Sequence, residues 1–333
     1  MRTVGETPPT DLAAFSVDSA LERLTPEQRA EIEATRAKSA TTRRATVPAM
    51  DELLYVPIPV LDHGFVRVID YMGDDAAIVQ AARVSYGAGT KKRRDDAGLI
   101  SYLMRNRHTS PFEMCELKLH MKLPIFVARQ LARHRAASLN EVSARYSILD
   151  REFYIPSAQD LGKQATSNRQ GRGEALDPET AQRVLDLLRA DAEHQYMRYE
   201  HLLGETSTGE AVEDGVGLAR ELARMDLTLN IYTQWYWKAD LHNLLHFLKL
   251  RGDKHAQHEI REYARVILDI VREWVPLTFA AFREYRLDAR DISAHGLAAI
   301  RRMLNGEQVD AASASMSPGE WRELMEVLGR PTA

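Results

Sequence analysis

The sequence predicts an α+β fold, an antiparallel sheet flanked by helices. Three observations predict it. Residues 114–122 alternate, with Cys115, Leu117, Leu119 and Met121 on one face and Glu116, Lys118, His120 and Lys122 on the other, the pattern of a half-buried antiparallel strand. Residues 227–238 alternate again and carry Trp235 and Trp237. Helical stripes accompany them, the longest made by Ile260, Ala264, Ile267, Ile270, Val271 and Trp274 and stopped by Pro276.

Taken in order, residues 1–60 read as a separate arm, partly helical or disordered. Thr25 caps a helix that Pro26 opens and Gln28 closes back on. That helix is charged and alanine-rich, suited to packing on a partner subunit, and residues 39–50 read as a polar linker. The main domain is expected over 61–287. Phe65-Val66-Arg67-Val68-Ile69 suggests a strand. Asp74 caps a helix through Val79 and Ala82, and Asp95 or Asp96 caps another with Leu99, Ile100 and Leu103 inward. Residues 157–177 show no periodicity, which predicts a functional lid or disorder. A helix with Val184, Leu185, Leu188 and Tyr196 inward follows. Another, with Leu241, Leu244, Leu245 and Leu248 inward, ends at Gly252. Residues 288–333 form a helical extension, its last helix opened by Ser317-Pro318 with Leu324, Val327 and Leu328 inward.

Composition sets limits. The chain has 333 residues, 44% hydrophobic and 28% charged, with net charge −4, so its bulk field does not attract nucleic acid. One cysteine, Cys115, allows no intrachain disulfide and suggests a reducing cytoplasm. No 18-residue apolar run suggests a membrane span, and no apolar N-terminal stretch suggests a secretory signal.

Chemistry concentrates at 129–145. Arg129, Arg133, Arg135 and Arg145 crowd beside His134, Asn140, Glu141 and Ser143. Guanidinium groups suit planar anions such as phosphates. Pro124 opens an expected helix on which Ile125, Phe126, Ala128, Leu131 and Ala132 recur. There Arg129 and Arg133 share a face, as do Gln130 and His134. A solvated charged face is the plain alternative, and a nucleic-acid module using Arg129, Arg133, Arg135 and Arg145 is another. His242 and His246, four apart, would suit a metal, but Asn243 stands where a zincin-type site has glutamate; no metal is expected.

Arg133-His134-Arg135, followed after seven residues by Ser143, resembles the signature of flavin-dependent thymidylate synthases. Further blocks agree in order from about residue 65 to 285. They include Ala81-Ala82-Arg83-Val84-Ser85, His108-Thr109-Ser110-Pro111-Phe112-Glu113, Phe126-Val127-Ala128-Arg129-Gln130, Glu152-Phe153-Tyr154-Ile155-Pro156, Leu229-Asn230-Ile231-Tyr232-Thr233 and the run from Phe247 through Arg251 to Gln257. The resemblance implies a homotetramer with FAD at subunit interfaces. It implies reductive methylation of dUMP to dTMP, with 5,10-methylenetetrahydrofolate as carbon donor, FAD as hydride carrier, NADPH as reductant and no protein nucleophile. A family member that binds FAD without turnover is a further alternative.

The resemblance assigns dUMP to Gln130, Arg133, Glu141, Ser143, Arg145, Arg224 and Arg251. Arg145 and Arg224 take the phosphate, and Arg251 is catalytic, stabilising the uracil N3 anion. Without the resemblance, Arg251 would read as a basic residue at a helix C-terminus. FAD is assigned to Ser85, His108, Ser110, Arg133, His134, Arg135, Glu141 and His255. Asp240, His242 and His246 complete that set, at positions where members often carry asparagine or arginine.

Overall fold

The computed structural model describes residues 17–84, 95–165 and 171–330. They fall into two compact units, Met1–Ala280 and Ala281–Ala333.

The first unit opens with helices α1 (Val17–Glu22), α2 (Pro26–Arg36) and α3 (Pro48–Leu53). Thr25 and Gln28 form the expected capping box of α2. The 39–50 stretch is not wholly linker: Pro48 starts α3, which buries Met50 and Leu53 and packs against a long later helix. Arg36 donates to the carbonyls of Glu52 and Leu54 at 2.9 and 2.7 Å, fastening α2 to that turn.

Five antiparallel strands form the main sheet: β1 (Pro57–Val60), β2 (Gly64–Met72), β3 (Glu116–Pro124), β4 (Ser138–Glu141) and a later strand, Tyr232–Asp240. The last lies between β3 and β4. Gly64 is required at the β1–β2 turn, where a Cβ would lie 2.1 Å from the Tyr263 hydroxyl. Alternation places Leu117, Leu119, Met121 and Leu123 in the core with Trp235 and Trp237, as expected. Cys115 is fully buried beside them.

Between β2 and β3 lie α4 (Asp75–Val84), α5 (Asp96–Arg105) and α6 (Ser110–Glu113). Asp74 caps α4 by accepting from Ala77 N at 2.8 Å. Asp95 occupies the cap position of α5 without a side-chain bond. After β3 comes α7 (Ile125–Leu131). This corrects the expected longer helix. Pro124 is its N-cap, and α7 ends before the Arg-His-Arg run, because the chain must turn to lay β4 along its neighbour. Arg133 and His134 sit in that turn, their amides bonded to Gln130 O and Leu131 O.

The 157–177 stretch is also corrected. It contains a hairpin of β5 (Gly162–Gln164) and β6 (Arg172–Ala175). Helix α8 (Pro178–Leu203) follows, capped by Asp177. Tyr196 and Tyr199 bury against Leu149, Phe153 and Ile231, whereas Leu188, expected inward, is 37% exposed. Short α9 (Arg220–Ala223) precedes β7, the Tyr232–Asp240 strand. Then come α10 (Leu241–Arg251), α11 (His258–Trp274) and α12 (Pro276–Phe282). The whole predicted α11 stripe is buried. Pro276 ends α11 but also opens α12.

The second unit contains α13 (Ala294–Leu304) and α14 (Pro318–Val327) around Ala299, Ala314, Met316, Leu324 and Met325. Ser317 caps α14 as expected. Val327 and Leu328 are exposed, not inward. The buried residues of α14 are Leu324 and Met325 instead, with Trp321 partly buried against the same cluster.

Candidate active site

The turn after α7 brings His134 against α10. Its ring lies 5.8 Å from His246, 5.5 Å from Phe247 and 6.3 Å from Trp237. It bonds the Asn243 main chain, and Asp240 and Arg251 act on it electrostatically. Burial first, then the charges of His246 and Arg251, hold its pKa below the usual histidine value. The ring is therefore neutral near pH 7, and its Nε2 has no partner. Among the other buried side-chain atoms without a hydrogen-bond partner are Gln130 Oε1 on α7 and Arg251 Nε at the end of α10. Buried polar atoms normally find partners. These three lie on segments that carry predicted ligand-binding residues. The Arg133 and Arg135 side chains lie exposed beside it.

A second cluster forms where β4 ends. The register puts Ser138 opposite Lys238 and Glu141 opposite Trp235, so β4 separates the clusters by about 10 Å of strand. Glu141 Oε1 accepts from Thr233 Oγ1 at 2.7 Å. Ser143 opens a turn: its Oγ accepts from Arg145 N at 3.3 Å, and its carbonyl from Tyr146 N and Ser147 N. Arg145 pairs with the Glu221 carboxylate at 3.0 Å, while Arg224 Nε donates to the Glu221 carbonyl at 3.3 Å. Glu221 thus meets two arginines that lie far apart in sequence, one at its carboxylate and one at its carbonyl.

The remaining predicted residues are dispersed. Asp240 caps α10 through Asn243 N (2.9 Å) and Asn243 Nδ2 (2.7 Å). His242 is half-buried on that helix. His255 pairs with Asp253 at 2.8 Å. His108 packs edge-on against Tyr102, centroids 5.7 Å apart. Ser110 opens α6, which packs against α10. Ser85 lies outside the described residues. Among the described residues, no three His, Cys, Asp or Glu gather as a metal site.

Three residues escaped the sequence reading as site residues: Thr233, Glu221 and Asn243. Thr233 carried a signal, being a hydroxyl in an otherwise apolar strand register. Glu221 and Asn243 carried none, since their roles depend on tertiary placement. Cys115 is inert, burial pushing its thiol up to about 12.

Residues 67–277 match the family described as thymidylate synthase complementing protein. The chain is 60% identical over 305 residues to a flavin-dependent thymidylate synthase of Gluconobacter oxydans, covering 92% of this chain and 98% of that one. It is 59% identical over 307 residues to one of Ruegeria pomeroyi, covering 92% and 99%. A solved UMP/dUMP methylase, PolB from Streptomyces cacaoi bound with 5-Br dUMP, superposes with TM-score 0.59 at 32% identity, covering 68% of this chain and 98% of that one.

Proposed function

We propose that this chain, which belongs to the flavin-dependent thymidylate synthase family, converts dUMP to dTMP. Methylenetetrahydrofolate is the carbon donor, FAD the hydride carrier and NADPH the reductant; tetrahydrofolate is released. The single observation that carries the site is the unpartnered His134 Nε2, in a ring packed near His246, Phe247 and Trp237 and within electrostatic reach of Arg251. That ring, with the adjacent guanidiniums, fits a pyrimidine beside a flavin. When bound, FAD supplies the hydride chemistry, and the protein binds, orients and sets charge.

Gln130, Arg133, Glu141, Ser143, Arg145, Arg224 and Arg251 hold dUMP. Arg145 and Arg224 take the phosphate, displacing part of the Glu221 interaction. Arg251 stays protonated and stabilises negative charge developing at uracil N3, an oxyanion-hole role, since it cannot act as base. Ser143 binds and does not attack: its Oγ accepts from the Arg145 amide, and a nucleophilic serine would need a positioned base. The buried thiol of Cys115 supports a route without a protein nucleophile. His108, Ser110, Arg133, His134, Arg135, Glu141, Asp240, His242, His246 and His255, with Ser85, hold the flavin. Asp240 and Asn243 fix the α10 N-terminus, whose amides favour an anionic group. The active form is a homotetramer with flavin where subunits meet, working in the cytoplasm.

A visible spectrum of the purified protein tests this reading. The expected result is a flavin band that shifts on titration with dUMP. Protein that is colourless, takes up no added FAD and ignores dUMP overturns it. Salt-sensitive oligonucleotide binding by such protein would favour the nucleic-acid alternative.

A further inference from the structure

Glu259 is the second residue of α11 and is 2% exposed. A carboxylate at that depth needs donors on each side, and it has three. Tyr154 Oη donates to Oε1 at 3.1 Å, Gln257 Nε2 donates to Oε2 at 2.8 Å, and the Arg172 guanidinium pairs with Oε1. Burial works to raise its pKa, but a further bond from its own backbone amide, then Gln257 and Arg172, hold it below the usual carboxylate value.

The donors come from three separate segments. Gln257 is the N-cap of α11 and ends the loop that starts directly after Arg251. Tyr154 lies 5.9 Å, ring to ring, from Phe126 of α7, the helix that carries Gln130. Its main chain is fixed to Asn230 by bonds of 2.8 and 3.0 Å. Arg172 belongs to β6 and also donates to Asp160 O at 2.9 Å. The His258 ring lies 3.5 Å from the carboxylate of Asp160, in the turn that precedes β5, so that turn is also tied to α11. No ligand is needed to explain Glu259, because it is fully answered within the chain. What it joins does need explaining. One buried carboxylate fixes the loop behind Arg251, the base of α7 and an otherwise exposed hairpin.

We infer that Glu259 is a positioning residue for the Arg251–Gln257 loop, and that Arg172 latches the β5–β6 hairpin to it. This rests on the role of Arg251 proposed above. Losing the latch lets the loop move, so Arg251 spends less time where charge develops on the pyrimidine.

The test compares Arg172→Ala, Arg172→Lys and Glu259→Gln in the FAD-loaded enzyme. Arg172→Ala removes a side chain 37% exposed and keeps the assay usable if the buried Glu259→Gln variant fails to fold. Expected are an approximately tenfold fall in dTMP turnover per bound flavin in Arg172→Ala, partial recovery in Arg172→Lys, and hydrogen exchange across residues 252–257 at least tenfold faster. Wild-type turnover per flavin with only a lowered Tm would mean a merely structural role and would overturn the inference. Unchanged exchange at 252–257 would also overturn it. If wild-type protein makes no dTMP, the enzymatic reading fails instead, and the exchange measurement still decides the latch.

Discussion

Two groups of polar side chains in the first unit are treated in opposite ways. Around Lys122 every named group is answered. Its ammonium pairs with Glu152 and lies 5.9 Å from the centre of the Tyr232 ring. Its carbonyl accepts from Tyr263 Oη at 2.6 Å, and Tyr232 Oη and the Ile155 amide both donate to Asp62. Around His134 the opposite holds, with Gln130 Oε1, His134 Nε2 and Arg251 Nε left unpartnered. An unmet buried polar atom costs about 1–3 kcal/mol. A chain able to complete the first network has the means to complete the second. A ligand that supplied the missing partners would offset that cost around His134.

The contrast predicts different consequences when each group is cut. Lys122→Ala removes the partner of the Glu152 carboxylate, whose side chain is 34% exposed, and should cost about 1–3 kcal/mol in denaturant-induced unfolding. A loss under about 1 kcal/mol would show that the pair is solvated and the network unimportant. Arg251→Ala should behave in reverse. Its stability should stay near wild type, because no internal bond of Nε is lost. Turnover should fall by about 10²–10³, the usual effect of removing one group that stabilises developing charge, with FAD still bound. Wild-type turnover would remove Arg251 from catalysis.

The same contrast marks what the sequence revealed. Regions whose side chains answer one another within a helix or strand were legible: the α11 stripe, the β3 alternation, and the caps at Thr25, Asp74 and Ser317. Partnerships across long separations were not. Nothing local announces that β7 inserts between β3 and β4, or that Glu221 stands between Arg145 and Arg224. The β5–β6 hairpin was invisible because both strands are largely exposed. They pair through main-chain bonds and the Lys163–Glu174 contact at 3.3 Å, without an apolar face to generate a period. The end of α7 was misplaced because Leu131 and Ala132 continue the helical spacing, while the demand to turn comes from β7. Individual ligand-binding residues rested on resemblance. The structure draws some of them around His134 and around Glu221 and leaves the rest dispersed.

Arg145 sharpens the comparison at the second cluster, where the partner is internal but weak. Its pair with Glu221 is about half exposed on both sides, and such pairs contribute about 0–1 kcal/mol. A phosphate should displace it. Arg145→Ala should weaken dUMP binding by about 1.5–3 kcal/mol while leaving deoxyuridine nearly unaffected, as measured by flavin absorbance titration. Glu221→Ala, which frees the guanidinium, should leave dUMP binding unchanged or tighter. Equal losses for both ligands in Arg145→Ala would exclude the phosphate contact.

The smallest expected effect separates two histidines. Like His134, His120 is held neutral, but its partners are complete. Arg67 bonds Nδ1, Gln234 lies 3.0 Å from Nε2, and the ring stacks on Tyr236 with centroids 4.9 Å apart. Burial, then the Arg67 charge, push its pKa down to about 4. The unfolded chain, with an ordinary histidine value near 6.5, therefore binds more protons between pH 6.5 and 4. His120's contribution is present above about pH 6.5 and is lost as pH falls through that window. Allowing for partial exposure of the ring, the loss is about 1–2 kcal/mol. His120→Gln, which keeps hydrogen-bonding capacity without titrating, should flatten the acid side of stability against pH, measured by urea unfolding from pH 4 to 8. FAD binding in that variant should keep its own acid limb, since that follows His134. If both acid limbs moved together in His120→Gln, the two histidines would belong to one coupled system, and the division between a completed network and an open site would fail.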